Sequence, residues 1–319
     1  MKRVFKYRLY PNKAQTNILT ETFRLCKNLY NACLEQKVIV YKKFKRSINR
    51  FDQFNELPNL KQELPEYDNV HSQVLQDVIK RVDLAYQKFF RDKKGFPRFK
   101  SFDRYHSITY PQVYKLKFQG NRIFIPKIGL VKIEYHREIP DNAQIKLLTI
   151  TKHCDKYFTC INFEMPDIEK KPVCLDKVIG IDIGLENLAS LSNGEIIKYP
   201  KFLKQSENKL ILAQQNLNRK QEGSNHRKQA KKQVAKVHEK IKNQRSDFLH
   251  KESRKIADRF DIICFEDLKI QQMLNKGFRT IHKSINDSAW NMFINMVSYK
   301  VETLGGHIIK VDPRGTSQK

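Results

Sequence analysis

The stretch VIGIDIG, from Val178 to Gly184, is apolar apart from one carboxylate, Asp182. A lone charge in such a run needs a partner or a function, because burying it unpaired is costly. Read as an extended strand, the stretch sets Ile179, Ile181 and Ile183 on one face and Val178, Gly180, Asp182 and Gly184 on the other. Two glycines on the acidic face leave room for a backbone or a ligand. Residues 187 to 198 then read as a second strand, with SNGE as a tight turn into a third.

A later stretch, DIICFEDL, repeats the design. Ile262, Cys264 and Glu266 alternate with Ile263 and Phe265, so a carboxylate again ends an apolar strand. Ligand sites of open α/β sheets lie at the carboxyl ends of the strands. Parallel, neighbouring strands would therefore bring Asp182 and Glu266 together. Either acid alone reads more readily as a turn cap or a lysine partner. Together they suit Mg²⁺, which takes oxygen ligands, and two-metal phosphodiester hydrolysis is the implied chemistry. Beyond them, NDSAWNMFINMVSYKVETLGG reads as a helix capped by Asn286 or Asp287. Ala289, Phe293, Met296, Val297, Val301 and Leu304 form its stripe, Trp290 anchors it in the core, and Gly305 and Gly306 end it. HIIKV is one more strand, and this element order fits a ribonuclease-H-like fold.

Charge points to the partner. The chain holds 61 Lys and Arg against 34 Asp and Glu, a net +27 over 319 residues, so its field attracts polyanions. Nucleic acid is the leading one, since phosphate contacts reward this density of cations. The densest run lies in residues 202 to 260, a helical pair bent at QEGSNHRK. There Arg219, Lys220, Arg227, Lys228, Lys231, Lys232 and Lys236 are candidate phosphate contacts, and Val234, Val237 and Ile241 form a packing stripe beside them. Arg98 and Lys100 in PRFK are further candidates. The six cysteines form no CxxC pair, so no zinc site or disulfide framework is indicated. No run approaches 18 apolar residues, which predicts a cytoplasmic protein outside the membrane.

The first half changes texture twice. VFKYRLYP, Val4 to Pro11, reads as a strand, and Asn12 with Gln15 fits a capping box for a helix whose stripe is Ile18, Thr22, Leu25, Leu29, Cys33 and Ile39. A polar stretch, Asp52 to Asn69, interrupts. A second helix then aligns Leu75, Val78, Val82, Ala85 and Phe89. RIFIP, GLVKIEY and YFTCINFE are short strands that suit a small twisted barrel joined by the opening strand, and PDIEKKP links to the second half.

Taken along the chain, YRLYPNKAQ, LYNACLE, SQVLQDVIKRVDLAYQKFF, GFPRFKS, GIDIGLENLASLSNGE, KNQRSDFLHKESRKIA, FEDLKIQQML, SINDSAWNMF and VDPRGTSQ resemble the TnpB family. Its members are transposon-encoded RNA-guided DNA endonucleases related to type V CRISPR effectors. The resemblance implies an α+β multidomain protein: a wedge-type β-barrel with an inserted helical recognition domain, followed by a ribonuclease-H-like (RuvC) α/β domain. The expected bounds are 1–11 for the first wedge strand, 12–94 for the helical domain, 95–170 for the rest of the wedge and 171–319 for the nuclease domain. It also implies a guide RNA from the transposon end and a double-stranded DNA target with a short flanking motif. Tyr30, Asn31, Gln73 and Gln76 would read that motif, and Asp182 and Glu266 would be the first two RuvC acids. In the family, TSQ is followed by a zinc ribbon and a third acid. Neither is found in the 319 residues, so Mg²⁺ but not Zn²⁺ is expected here. Asp267 should face away from Glu266, and Asp312, beside Pro313, matches no motif. The alternative to a Mg²⁺-dependent endonuclease is a cleavage-deficient RNA-guided DNA-binding protein, a repressor or a competitor for target sites.

Overall fold

A computed structural model describes residues 1–113, 116–172, 174–184, 186–200, 202–267 and 289–312. The chain divides between Pro166 and Asp167 into two units, each with its own apolar core.

The first unit opens with β1 (Lys2–Tyr10) and α1 (Lys13–Phe44). The capping box forms as expected: Asn12 Oδ1 accepts from the Gln15 backbone N–H at 2.8 Å, and Gln15 Oε1 accepts from the Asn12 N–H at 3.1 Å. The buried stripe of α1 is Leu19, Phe23, Cys26, Tyr30, Leu34 and Lys37 with Thr22, Leu25, Leu29 and Cys33 beside them. Ile18 and Ile39, expected in the stripe, are 37% and 42% exposed. Lys37 is the surprise. Its stem lies in the core and its ammonium donates to Ile48 O at 2.6 Å, 3.7 Å from Asp83.

The polar interruption is itself helical. Asn49 and Asp52 build a second capping box for α2 (Arg50–Asn55), Pro58 starts α3 (Leu57–Glu63), and a 3₁₀ turn spans Pro65–Asn69. Then α4 (Ser72–Asp92) buries Val74, Leu75, Val78, Ile79 and Val82, whereas Ala85 and Phe89 are half-buried. Arg81 ties α4 to the sheet by bonding Asp77, Ser107 and Thr109.

Six strands follow: β2 (Ser107–Tyr110), β3 (Phe118–Gln119), β4 (Arg122–Ile125), β5 (Gly129–Glu134), β6 (Gln144–His153) and β7 (Lys156–Glu164). With β1 they make one curled antiparallel sheet in the order β2-β6-β7-β1-β5-β4-β3. The first strand of the sequence is thus a central strand, paired with β7 on one side and β5 on the other. β6 was not foreseen. A bulge between Ile145 and Leu147 puts Leu147 and Leu148 side by side, which erases the alternation that marks a strand.

The second unit carries β8 (Val178–Asp182), β9 (Asn187–Leu191), β10 (Ile196–Lys198), α5 (Phe202–Asn218), α6 (Asn225–Arg259), β11 (Ile262–Glu266), α7 (Trp290–Thr303) and β12 (His307–Val311). The sheet order is β10-β9-β8-β11-β12, with β8, β11 and β12 parallel and the β8-β9-β10 meander antiparallel. SNGE makes its turn with Gly194 at φ +89° and Asn193 Oδ1 accepting from the Glu195 N–H. The link residues 170–172 are pinned to the end of α7: the Lys171 N–H donates to Gly305 O at 2.8 Å and Lys170 Nζ to Gly306 O at 2.7 Å. The proposed caps Asn286 and Asp287 lie outside the described residues. Among the described residues no helix is long and apolar enough to cross a membrane.

Candidate active site

Alternation along β8 buries Ile179, Ile181 and Ile183 and leaves Asp182 exposed at the strand's carboxyl end. β11 runs beside it in parallel, with Ile262 opposite Val178 and Phe265 opposite Ile181. One residue further, Glu266 reaches the level of Asp182. Both acids line one open cleft of about 380 Å³, with Gly180, Ser190, Ser192, Cys264 and Val311 among its walls. No lysine or arginine is among its described lining residues. The Asp182 carboxylate makes no hydrogen bond or ion pair with the described residues, whereas Glu266 is half-buried and does have a partner.

Cys264 lines the cleft on the Glu266 face, where strand alternation put it, whereas Ser190 and Ser192 were not singled out from sequence. Ser190 needed the antiparallel register that sets it opposite Asp182. Ser192 Oγ accepts from the Gly180 N–H at 3.1 Å and covers that glycine. A Cβ at Gly180 would meet Ser192 at 3.6 Å, an ordinary contact, so the clearing attributed to this glycine is not a steric necessity. Asp267 is turned away as expected. Its N–H donates to Val311 O and its carboxylate lies 3.7 Å from Lys310. Asp312 follows the edge strand and is not among the lining residues.

The other candidate residues separate by what already holds them. Arg219, Lys228, Lys231, Lys232 and Lys236 are exposed, and Lys228, Lys232 and Lys236 follow one another at four-residue steps along α6. Lys220 is half-buried. Arg227 is half-buried, and its guanidinium donates to Lys220 O at 2.9 Å and lies 3.2 Å from Glu222, so it also fastens the α5–α6 turn. Ala230 and Ile241 are buried and Val234 and Val237 half-buried, which gives α6 its packed side.

In the first unit, Tyr30 and Asn31 are withdrawn as readers. Tyr30 is buried, 5% exposed, beside Tyr105. Asn31 spends its amide on a loop: Nδ2 donates to Lys100 O at 2.9 Å and Oδ1 accepts from the Lys100 N–H at 2.8 Å. Gln73 is half-buried and bonds Gln112, while Gln76 is exposed. Arg98 is exposed and Lys100 half-buried, its Nζ 5.8 Å from the Tyr30 ring centre. Losing the Asn31 clamp should loosen the loop by about 1–2 kcal/mol. Asn31→Ala is thus expected to speed tryptic cutting between residues 93 and 100 several-fold without moving the melting temperature much; unchanged cutting would contradict the clamp.

Residues 160–276 match the OrfB_IS605 family, described as "Probable transposase", and residues 1–46 match that family's "Helix-turn-helix domain". Two relatives match almost the whole chain at 28% identity. "Putative RNA-guided DNA endonuclease" of Streptomyces pristinaespiralis covers 98% of this chain with 78% of its own length. "Putative RNA-guided DNA endonuclease InsQ" of Escherichia coli (strain K12) covers 100% with 83% of its own. The chain belongs to the OrfB, or TnpB, family. Within residues 1–46, this TnpB-family chain forms a strand and one unbroken helix of 32 residues rather than two helices. Its fold is shared with Cas12f1, solved as a "Cas12f1-sgRNA-target DNA complex", at a TM-score of 0.58 and 13% identity, covering 100% of this chain and 90% of that one.

Proposed function

We propose that the chain is an RNA-guided DNA endonuclease that cuts double-stranded DNA matched by a guide RNA from the transposon end, beside a short flanking motif. One observation carries the cutting step: two strands adjacent in parallel register each end in a carboxylate on one open cleft. The names of the two relatives support the same reading. Asp182 and Glu266, with the Ser190 and Ser192 hydroxyls beside them, offer hard oxygen donors that fit Mg²⁺. The ion would bind Asp182 and Glu266 and supply Lewis-acid polarisation of a phosphodiester. The side chains' own part is to hold that charge at the end of a rigid sheet. Buried Ile179, Ile181, Ile263 and Phe265 fix the two strands that carry them. The exposed lysine column of α6 and Arg98 grip phosphates without reading sequence, which guide pairing supplies.

Cutting of a plasmid by the chain co-expressed with its guide RNA tests this reading. Guide-matched plasmid should be cut only with Mg²⁺ present, and mismatched plasmid spared. Guide-matched binding without cutting would leave the non-cleaving reading in its place.

Trp290 is expected to position Asp182. Buried at the start of α7, it donates its indole N–H at 3.0 Å to Gly184 O, two residues past the acid. Outer-shell partners of metal ligands typically control affinity by about 10–100-fold. Trp290→Phe keeps the ring and removes that donor. The Mg²⁺ needed for half-maximal cutting should rise about tenfold while the melting temperature falls by only a few degrees. An unaltered Mg²⁺ requirement would reduce Trp290 to packing.

A further inference from the structure

Between Lys88 and Lys100 the sequence KFFRDKKGFPRFK holds six cations, four phenylalanines and a single acid, Asp92. The apolar rings are not withdrawn from water. Phe90 is 72% exposed, Phe99 56% and Phe96 49%. Nor is the segment loosely held, since Pro97 is buried and Asn31 clamps Lys100 from both sides. Tyr86, Phe89, Phe90 and Phe96 form a preassembled cluster, with Phe89 5.0 Å from Phe90 and 5.3 Å from Phe96 and Tyr86 meeting Phe96 edge-on at 5.6 Å. Phe99 is a separate exposed ring between Arg98 and the clamped Lys100. Exposed aromatic area on a fixed scaffold marks a binding surface.

The interleaved charge selects the occupant. Protein partners favour interface cores depleted of charge, whereas here a cation stands beside nearly every ring. Rings that stack on bases and cations that meet phosphates are the combination used for single-stranded nucleic acid. Duplex DNA keeps its base faces stacked inside and cannot use the rings. In an RNA-guided complex the guide's bases are consumed by pairing, while the displaced DNA strand keeps its bases free. We infer that Phe90 and Phe99, with Arg91 and Arg98 beside them, form a stacking surface for unpaired bases of single-stranded DNA. The source of that strand rests on the endonuclease reading, but the surface itself does not.

Binding of a fluorescent 20-nucleotide single-stranded DNA to the full chain, over a salt series, tests the surface. Phe90→Ala with Phe99→Ala should weaken it about tenfold or more, at several-fold per ring. The slope of affinity against salt should stay unchanged, because no charge is removed. Affinity for the duplex of the same sequence should not move, and Phe90→Trp with Phe99→Trp should retain single-strand binding. No loss, or an equal loss on duplex, would overturn the inference, and so would a loss confined to single-stranded RNA. Should the double variant fail to fold, Phe99→Ala against Phe99→Trp decides the point alone. Ring-dependent binding in a chain that never cuts guide-matched DNA would uphold the surface and sink the endonuclease reading; cutting with ring-independent binding would do the reverse.

Discussion

Asp182→Ala is expected to lower cutting of guide-matched DNA by at least about a hundredfold, because even outer-shell losses at metal sites reach that size. Guide-matched binding should persist. The side chain is exposed at the end of β8 and bonds no described residue, so its removal leaves the isoleucine face of the strand intact. Parallel assays of binding and cutting separate the two effects. A variant that cuts as fast as the parent would remove Asp182 from the chemistry, and one that loses binding in proportion would assign it a structural role.

The second large effect is on stability. Gly306 sits where α7 turns into β12, and a Cβ there would lie 2.5 Å from Asp261 O and 2.6 Å from Val301 Cγ1. The first of these is backbone whose oxygen already accepts the His307 N–H at 2.8 Å, so it cannot swing aside. Around the same point Asp261 takes Lys171 at 2.7 Å and Lys177 at 3.6 Å, and the Lys171 ammonium holds its carboxyl below the usual range. Gly306→Ala should cost about 3 kcal/mol, the upper part of the overpacking range. For the second unit, Asp167–Lys319, unfolding by itself, that lowers the melting temperature by about 10 °C. A shift below about 2 °C would show that the turn can relax.

What the sequence made legible was whatever depends on neighbours close along the chain. Alternation in β8 and β11 announced both carboxylates and their orientation, and the Asn12–Gln15 reciprocity announced the start of α1. Asp267 was assigned its face by the same parity. What escaped depended on partners far away in sequence. Asn31 looks like a surface amide until Lys100, 69 positions on, occupies both its donor and its acceptor. Arg227 looks like one more cation of a basic run, yet it also holds the turn carbonyl of Lys220. Lys37 lies in an apolar stripe because Ile48 O and Asp83 receive its ammonium there, a pairing that local pattern cannot foresee.

Titration of the chain with Mn²⁺, followed by electron paramagnetic resonance, tests most directly whether residues 182 and 266 act as one cation site. Asp182→Ala and Glu266→Ala should each weaken binding about tenfold or more, while Asp267→Ala, altered on the opposite face beside Lys310, should leave it unchanged. Equal weakening by all three substitutions, or by none, would contradict the account.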